Sequence, residues 1–224
     1  MIVQDDPKAI GSEAFRTLRT NLQFASLNEE LVTISLTSTG LSEGKSVVCS
    51  NLAVSIAQTG SRVILVDCDL RKPVIHRIFG LRNSVGLTTV LTGQSDIESA
   101  LQKTGSENLR VLTAGPIPPN PAELLQSKSM QQTLEEIKGL ADKILIDAPP
   151  VLPVADAMIL ASYVDGVIFV VGVHQAPREM VRRAKEQLES TNVRILGVVL
   201  NKVKYNSRSE HYYYDYYRSS EHDG

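Results

Sequence analysis

The chain has 224 residues, of which 42% are apolar, and this length suffices for one substantial hydrophobic core. Its formal net charge of −2 gives no electrostatic reason to expect a nucleic-acid partner, so none is expected. No apolar run is long enough to cross a bilayer and no signal peptide is recognisable, which together favour a cytoplasmic protein.

The first predicted helix begins near Ser12, a residue type that caps helix N-termini, and runs to about residue 26. Apolar residues recur on one of its faces, namely Phe15, Leu18, Leu22 and Ala25. A neighbouring face carries a charged stripe, namely Glu13, Arg16 and Arg19. From its spacing alone, this stripe is either ordinary solvated surface or a docking face for a partner subunit.

A phosphate-binding loop is predicted next, between an apolar strand at residues 32–36 and a following helix. The loop, residues 39–46, reads Thr-Gly-Leu-Ser-Glu-Gly-Lys-Ser. Small residues let backbone amides approach phosphate oxygens, and the positive end of the helix favours the anion. The predicted nucleotide-binding residues of this segment are Gly40, Ser42, Glu43, Gly44, Lys45, Ser46 and Val47.

Within this loop, Lys45 is expected to reach the β- and γ-phosphates, and Ser46 to bind Mg²⁺ through its hydroxyl. The match to the standard pattern is imperfect, because that pattern places glycine where this chain has Thr39. Taken alone, the segment could also be a glycine-containing turn before a capped helix. The helix is expected to end near Gly60 in a left-handed cap.

Two further apolar strands end in carboxylates. Residues 63–69 read Val-Ile-Leu-Val-Asp-Cys-Asp, and residues 144–147 read Ile-Leu-Ile-Asp. Each ending alone could be an ordinary Asx turn. Because the carboxyl ends of parallel strands meet at one edge of a sheet, Asp67, Asp69 and Asp147 are expected beside the phosphate loop. The combination predicts a Mg-nucleotide site.

The region after Asp69 is harder to interpret. Arg71 and Lys72 precede Pro73, and they could either face phosphate or neutralise the carboxylates before them. Residues 75–101 carry short helical patterns separated by glycines, which predicts a layer of small helices. A strand at 109–114 and a proline-rich loop follow. Two cysteines, Cys49 and Cys68, lack metal-ligand spacing and are expected to be reduced thiols.

The last strong strands, residues 164–171 and 194–200, flank a helix predicted from Pro177 to Glu189. This alternation of strands and helices favours the α/β class, with a doubly wound, mostly parallel sheet flanked by helices. Asn201 follows the last strand, at the edge where such sheets contact ligands. Its amide can both donate to and accept from an adenine edge, so it is a candidate nucleotide-binding residue.

We expect one domain over residues 1–204 and a flexible, tyrosine-rich tail over residues 205–224. Six of the seven tyrosines lie in the tail, which lacks aliphatic partners and cannot fold by itself. The tail is either a low-complexity adhesive segment or a substrate that presents phenolic hydroxyls. The candidate phosphate acceptors are Tyr212, Tyr213, Tyr214, Tyr216 and Tyr217.

Together these features resemble the bacterial protein-tyrosine kinases of capsule and exopolysaccharide assembly. The resemblance covers nearly the whole chain. The loop around Lys45 and Ser46 corresponds to the family's A motif, residues 64–69 to its A-prime motif, and residues 144–147 to its B motif. The resemblance implies a P-loop NTPase fold of the kind with a deviant Walker motif, shared with positioning ATPases.

The resemblance also implies roles for individual residues, with ATP and Mg²⁺ as the bound species. The implied catalytic residues are Lys45, Asp67, Asp69 and Asp147. The implied metal ligands are Ser46, Asp69 and Asp147, the last partly through water. Asp67 is expected to face the incoming tyrosine hydroxyl. Because a phenol has a pKa near 10 and a carboxylate near 4, Asp67 is expected to orient the hydroxyl and accept its proton late.

Partners follow from the same resemblance. Glu13, Arg16 and Arg19 match the family's ExxRxxR helix, which is associated with ring-like self-assembly. A separate membrane-spanning adaptor is expected to recruit the protein to the inner face of the membrane, and a phosphotyrosine phosphatase to act on it. The nearest alternatives are a positioning-type ATPase switch without kinase activity and a non-catalytic scaffold. Positioning ATPases carry a signature lysine where this chain has Gly40, so this residue and the tail favour a kinase.

Overall fold

The computed structural model describes residues 1–25 and 31–203. Its strands are β1 (Thr33–Ser38), β2 (Val63–Asp67), β3 (Leu101–Lys103), β4 (Leu109–Leu112), β5 (Lys143–Asp147), β6 (Gly166–Gly172) and β7 (Ile195–Asn201). Its helices are α1 (Ile2–Asp5), α2 (Ile10–Ala25), α3 (Lys45–Ala57), α4 (Ile75–Phe79), α5 (Leu87–Leu91), α6 (Ile97–Ala100), α7 (Pro121–Leu125), α8 (Lys128–Lys138), α9 (Asp156–Ala161) and α10 (Arg178–Glu189). The predicted tail, with its candidate tyrosines, lies outside the described residues.

Within the described ranges, the strands form one sheet in the order β3-β4-β2-β5-β1-β6-β7. The neighbouring pairs are parallel, apart from β3 with β4, which is antiparallel. The chain starts near the centre with β1, winds to one side through β2 and β4, and returns to the other side with β6 and β7. The prediction of a doubly wound, mostly parallel sheet is confirmed.

Helices cover both faces of this sheet, and the central strands are buried on each side. In β2, Ile64 and Val66 pack into the core beneath α5 to α9, whereas Val63 and Leu65 pack into the opposite core beneath α1 to α4. This alternation explains why these strands are continuous apolar runs in sequence. Most predicted strand and helix ends lie within two residues of those in the structure. The end of α3 differs more, because the helix ends at Ala57 with Gln58 as its C-cap, and the left-handed Gly60, with φ of 90°, lies beyond it.

The start of α2 corrects one prediction. Ser12 does not cap the helix, because α2 begins at Ile10 and Ser12 is fully buried inside it. Its hydroxyl instead donates to the carbonyl oxygens of Ile2 and Asp6, at 3.1 and 2.6 Å. Ile2 lies in α1 and Asp6 is its C-cap residue. The apolar pattern did not predict this short helix. The apolar face of α2 packs on the core as predicted.

Two other predictions concern the thiols and the membrane. Cys49 and Cys68 are free and fully buried, as expected for reduced thiols. Among the helices of residues 1–25 and 31–203, none combines the length and the apolar character that crossing a membrane requires.

Candidate active site

A cleft of about 520 Å³ opens at the carboxyl ends of the central strands. One wall is the phosphate loop between β1 and α3, which contributes Gly40, Ser42, Gly44, Lys45, Ser46 and Val47. All six were predicted to bind nucleotide. Asp69 and Lys202 also line the cleft, and they come from the loops after β2 and β7. The topology therefore brings the predicted loop and carboxylates to one place.

The phosphate loop has an unusual backbone conformation at two residues. Ser42 and Gly44 are left-handed, with φ of 64° and 89°. A side chain at Gly44 would be strained, and its Cβ would lie only 2.1 Å from the Asn201 amide nitrogen. Glycine is therefore required at position 44 both for its φ and for the close approach of β7.

Lys45 lies at the centre of the cluster. Its ammonium nitrogen is 2.9 Å from Asp69 Oδ2 and 3.2 Å from Asp147 Oδ1. It also donates to the Ser46 hydroxyl at 3.2 Å. Burial lowers the pKa of Lys45, but the charges of Asp147 and Asp69 outweigh this effect and leave the pKa raised. Lys45 is therefore a fixed positive charge.

Asp67 and Asp147 are both fully buried. Burial, followed by the neighbouring charge of Asp147, raises the pKa of Asp67 well above its usual range. Burial also raises the pKa of Asp147, although the ammonium of Lys45 opposes this rise. Asp67 is held by two backbone amides, because Oδ1 accepts from Asp69 at 3.2 Å and Oδ2 from Ile75 at 3.1 Å.

The cluster has the features of a cation site. Asp147 Oδ2 is buried and accepts no hydrogen bond from the residues that the structure describes. Two carboxylates, those of Asp69 and Asp147, contact the single ammonium of Lys45. Oxygen atoms are the ligands that Mg²⁺ prefers. In the described part of the chain, no three acidic, histidine or cysteine side chains form a ready-made metal cage. Mg²⁺ sites in proteins are commonly completed by substrate phosphates and water.

Two predicted nucleotide-binding residues have their side chains occupied within the protein. The Glu43 carboxylate accepts from the backbone amides of Gly40, at 2.5 Å, and Gly172, at 2.8 Å. The Asn201 amide nitrogen donates to the Glu43 carbonyl oxygen at 2.8 Å. The Glu43 side chain is therefore used within the protein, and contact of its backbone with nucleotide stays a prediction. Contact between Asn201 and adenine stays a prediction.

Known proteins share this arrangement. Residues 32–223 match the family described as ParA, NUBPL iron-transfer P-loop NTPase. The tyrosine-protein kinase YwqD of Bacillus subtilis is 44% identical over 214 residues, covering 96% of this chain and 90% of that protein. The putative tyrosine-protein kinase CapB of Staphylococcus aureus is 37% identical, covering 96% and 94%. The chain belongs to the bacterial tyrosine-protein kinases.

A solved structure agrees with this assignment. The kinase domain of the Escherichia coli tyrosine kinase ETK superposes with a TM-score of 0.88 and 33% identity, covering 92% of this chain and 81% of that one. The predictions of a P-loop NTPase fold and of a protein-tyrosine kinase are thus confirmed. As a P-loop kinase, the protein binds ATP.

The structure shows what Arg71 and Lys72 contact, which the sequence left open. Arg71 forms a two-pronged pair with Asp156, at 2.8 and 3.1 Å. Asp156 is fully buried at the start of α9, so the pair joins the loop after β2 to the segment after β5. Lys72 instead lines the cleft, and its backbone amide donates to Asp69 Oδ1 at 3.0 Å. Arg71 therefore neutralises a carboxylate that neither alternative anticipated. Contact of Lys72 with phosphate stays a prediction.

Lys202 lines the cleft but was not predicted as a site residue. The Lys202 ammonium donates to the Ser42 carbonyl oxygen at 2.6 Å and to Gln175 Oε1 at 3.1 Å. Lys202 could have been identified as a candidate from the sequence, because it follows directly after a predicted strand end.

The charged stripe on α2 is partly used inside the kinase subunit. Arg16 pairs with Glu13 at 2.7 Å and donates to the Pro7 carbonyl oxygen at 2.6 Å. Arg19 donates to the carbonyl oxygen and the hydroxyl of Ser55, at 2.7 and 3.3 Å. Glu13 is exposed and both arginines are half-buried. A role for the stripe between subunits stays a prediction.

Proposed function

We propose that this kinase transfers the γ-phosphoryl group of Mg-ATP to the tyrosines of residues 212–217 on a neighbouring copy of the chain. Through this reaction it regulates the synthesis and export of capsular or exopolysaccharide. The single observation that carries the proposal is the contact of Lys45 with both Asp69 and Asp147 in the cleft. A cation fixed between two carboxylates suits phosphoryl transfer, which asks a protein for positioning and charge stabilisation.

The cleft residues divide the work as follows. The Lys45 ammonium and the backbone amides of the phosphate loop hold the phosphates. Ser46, Asp69 and Asp147 would hold Mg²⁺, which neutralises charge on the phosphate oxygens when bound. Asp67, fixed by two backbone amides, orients the tyrosine hydroxyl and accepts its proton late, because a carboxylate is a much weaker base than a phenolate.

The proposal extends to the organisation of the chain. Residues 1–204 act as one kinase domain and residues 205–224 as its substrate tail. Copies of the chain assemble in a ring through the face of α2 that carries Glu13, Arg16 and Arg19. A separate membrane-spanning adaptor recruits the ring to the inner face of the membrane, and a phosphatase reverses the labelling.

Phosphorylation of the tail is proposed to loosen the ring. Each phosphate adds roughly −1.5 to −2 charges at neutral pH, which places several negative charges beside an acidic cleft. Repulsion then disfavours the docked tail.

Mixing two variants tests transfer between copies. One chain carries Lys45→Met and a complete tail, and the other is active but has phenylalanine at the tail tyrosines. Label is expected on the Lys45→Met chain, together with a decrease in oligomer size after ATP is added. An unlabelled Lys45→Met chain would exclude transfer between copies, and an unchanged size after heavy labelling would exclude the switch.

A further inference from the structure

Glu43 is a carboxylate in the middle of a loop that binds anions, and its side chain is almost fully buried, with 2% of the residue exposed. Both oxygens are occupied. Oε1 accepts from the backbone amide of Gly40 within the same loop, and Oε2 accepts from the backbone amide of Gly172, the last residue of β6. One side chain thus joins the start of the phosphate loop to the sheet.

The backbone around Glu43 also accepts hydrogen bonds from the neighbouring strand end. Asn201 donates its amide to the Glu43 carbonyl oxygen at 2.8 Å, and Lys202 donates its ammonium to the Ser42 carbonyl oxygen at 2.6 Å. These donors lie at the end of β7, next to β6 in the sheet. The left-handed residues Ser42 and Gly44 therefore flank a residue that is fixed through its side chain and its carbonyl.

The chemistry of this arrangement needs an explanation. A negative charge next to the phosphate site repels ATP, and removing a carboxylate from water is itself unfavourable. The carboxylate also occupies the Gly40 amide, which a phosphate could otherwise use. Because each of these effects disfavours ATP binding, the Glu43 carboxylate is not explained as a direct ligand of the nucleotide.

We propose that Glu43 is a positioning residue, which holds the phosphate loop in its anion-binding conformation before ATP arrives. Its two charge-assisted hydrogen bonds fix the loop between Gly40 and Gly172, and this fixation lowers the conformational cost of binding. The inference rests on the nucleotide site proposed above.

The β6 side of the contact supports this role. A Cβ atom added to Gly172 would lie 3.3 Å from Glu43 Cα and 3.1 Å from Gln175 Cγ. Glycine at this strand end therefore permits the close approach that lets the Gly172 amide reach Glu43. A substitution at position 172 disturbs the same contact without altering any charge.

Glu43→Gln, the substitution by the neutral isostere, tests the proposal through the direction in which the affinity for ATP changes. Glu43→Gln removes a negative charge near the triphosphate, and charge removal alone would strengthen ATP binding. Glutamine also replaces one acceptor oxygen with an NH₂ group that cannot accept from an amide, so the positioning role predicts weaker binding. We expect the Kd for Mg-ATP to rise about ten-fold, the factor for losing one charge-assisted hydrogen bond.

The kinetic pattern adds a second readout. A loop that is fixed before binding contributes equally to substrate and transition-state complexes, so KM for ATP should rise with kcat almost unchanged. Gly172→Ala should shift KM in the same direction. The double variant should lose less than the sum of the two single effects, because both disturb one contact. Glu135→Gln, an exposed charge removal on α8 away from the cleft, serves as the control and should leave KM unchanged.

The outcomes are separable. Tighter or unchanged ATP binding by folded Glu43→Gln would overturn the positioning role. Thermal melting establishes that each variant is folded, and if Glu43→Gln does not fold, unchanged ATP affinity in Gly172→Ala overturns the proposal equally. Lys45→Met reports on the site itself. If Lys45→Met retained full affinity for Mg-ATP, the nucleotide site would be wrong, whereas lost affinity there with tighter binding by Glu43→Gln would reject only the role of Glu43.

Discussion

Asp67 and Asp147 lie directly opposite one another as register partners at the ends of the neighbouring parallel strands β2 and β5. Parallel pairing places both carboxyl groups at the same edge of the sheet, where Lys45 arrives from the loop after β1. Because both groups are fully buried, their charges are poorly screened by water. This buried pair therefore needs the positive charge of Lys45 nearby.

Replacing Lys45 with methionine should abolish autophosphorylation. The variant loses the only ammonium that contacts Asp69 and Asp147 among the described residues, so the phosphotyrosine signal should fall by about 100-fold or more. The fold should persist, because carboxyl groups with raised pKa values can take up protons. Immunodetection of phosphotyrosine and a thermal melt check both points. A normal signal in the folded variant would reject the assignment of the phosphate loop.

The two aspartates after β2 should differ in their effects. Asp69 contacts Lys45 at the cleft and is a proposed metal ligand, so Asp69→Asn should weaken Mg-dependent nucleotide binding. Asp67 is held by backbone amides, so Asp67→Asn should spare binding and reduce transfer. Calorimetry with Mg-ADP, combined with initial rates, measures both. The opposite order of affinities would show that the two roles are exchanged.

The nucleotide-free protein should lose stability as the pH rises, through Asp67. Its pKa is raised in the folded state, so the folded protein keeps a proton that the unfolded chain releases above about pH 4. The free energy of unfolding therefore falls from that pH up to the raised pKa. Asp67→Asn should flatten this part of the profile, measured by denaturant titrations in EDTA.

A control for this profile is available at the surface. Arg62 lowers the pKa of Asp142 through hydrogen bonds, so the stabilisation from Asp142 is present above the usual carboxyl pKa and is lost as the pH falls. The Asp142 pair makes the free energy of unfolding rise with pH at the acid end of the profile, and Asp142→Asn should remove this rise. An unchanged slope in Asp67→Asn would contradict the assignment to Asp67.

Arg71→Met should destabilise the kinase by about 1–3 kcal/mol, because it leaves the buried Asp156 carboxylate without its charged donor. Arg71→Lys should restore part of the loss, since one ammonium replaces a two-pronged guanidinium. Arg62→Met, which breaks the exposed pair with Asp142, is the matched control and should cost less. Equal losses in the free energy of unfolding for Arg71→Met and Arg62→Met would show that burial of Asp156 is unimportant.

Much of the site was predictable because, in a parallel sheet, the sequence pattern of the buried strands also shows where their carboxyl ends lie. Strands buried on both faces are apolar runs, and parallel strands end at one edge, so Asp69 and Asp147 could be placed beside Lys45 before any coordinates were known. The doubly wound, mostly parallel arrangement of the sheet followed from the alternation of strands and helices. These predictions need no knowledge of individual long-range contacts.

The residues that were misjudged have partners outside their own helix or loop. Ser12 has the character of a cap, but the carbonyl oxygens of α1 and its end take its hydroxyl. Glu43 stands in a nucleotide loop, but its carboxylate meets the Gly172 amide 129 residues later. Strand β3 has three residues and a single buried side chain, too short a pattern to detect. No local pattern reports such contacts.

The same long-range contacts set an order of events during synthesis. The phosphate loop is translated early, yet its fixation by Gly172 and Asn201 waits for segments that are 129 and 158 residues further along the chain. A nascent chain on the ribosome therefore carries the complete loop sequence before the contacts that fix the loop can form. Asn201 lies four residues before the tyrosine-rich segment, residues 205–224, so the loop is fixed only as that segment is being made.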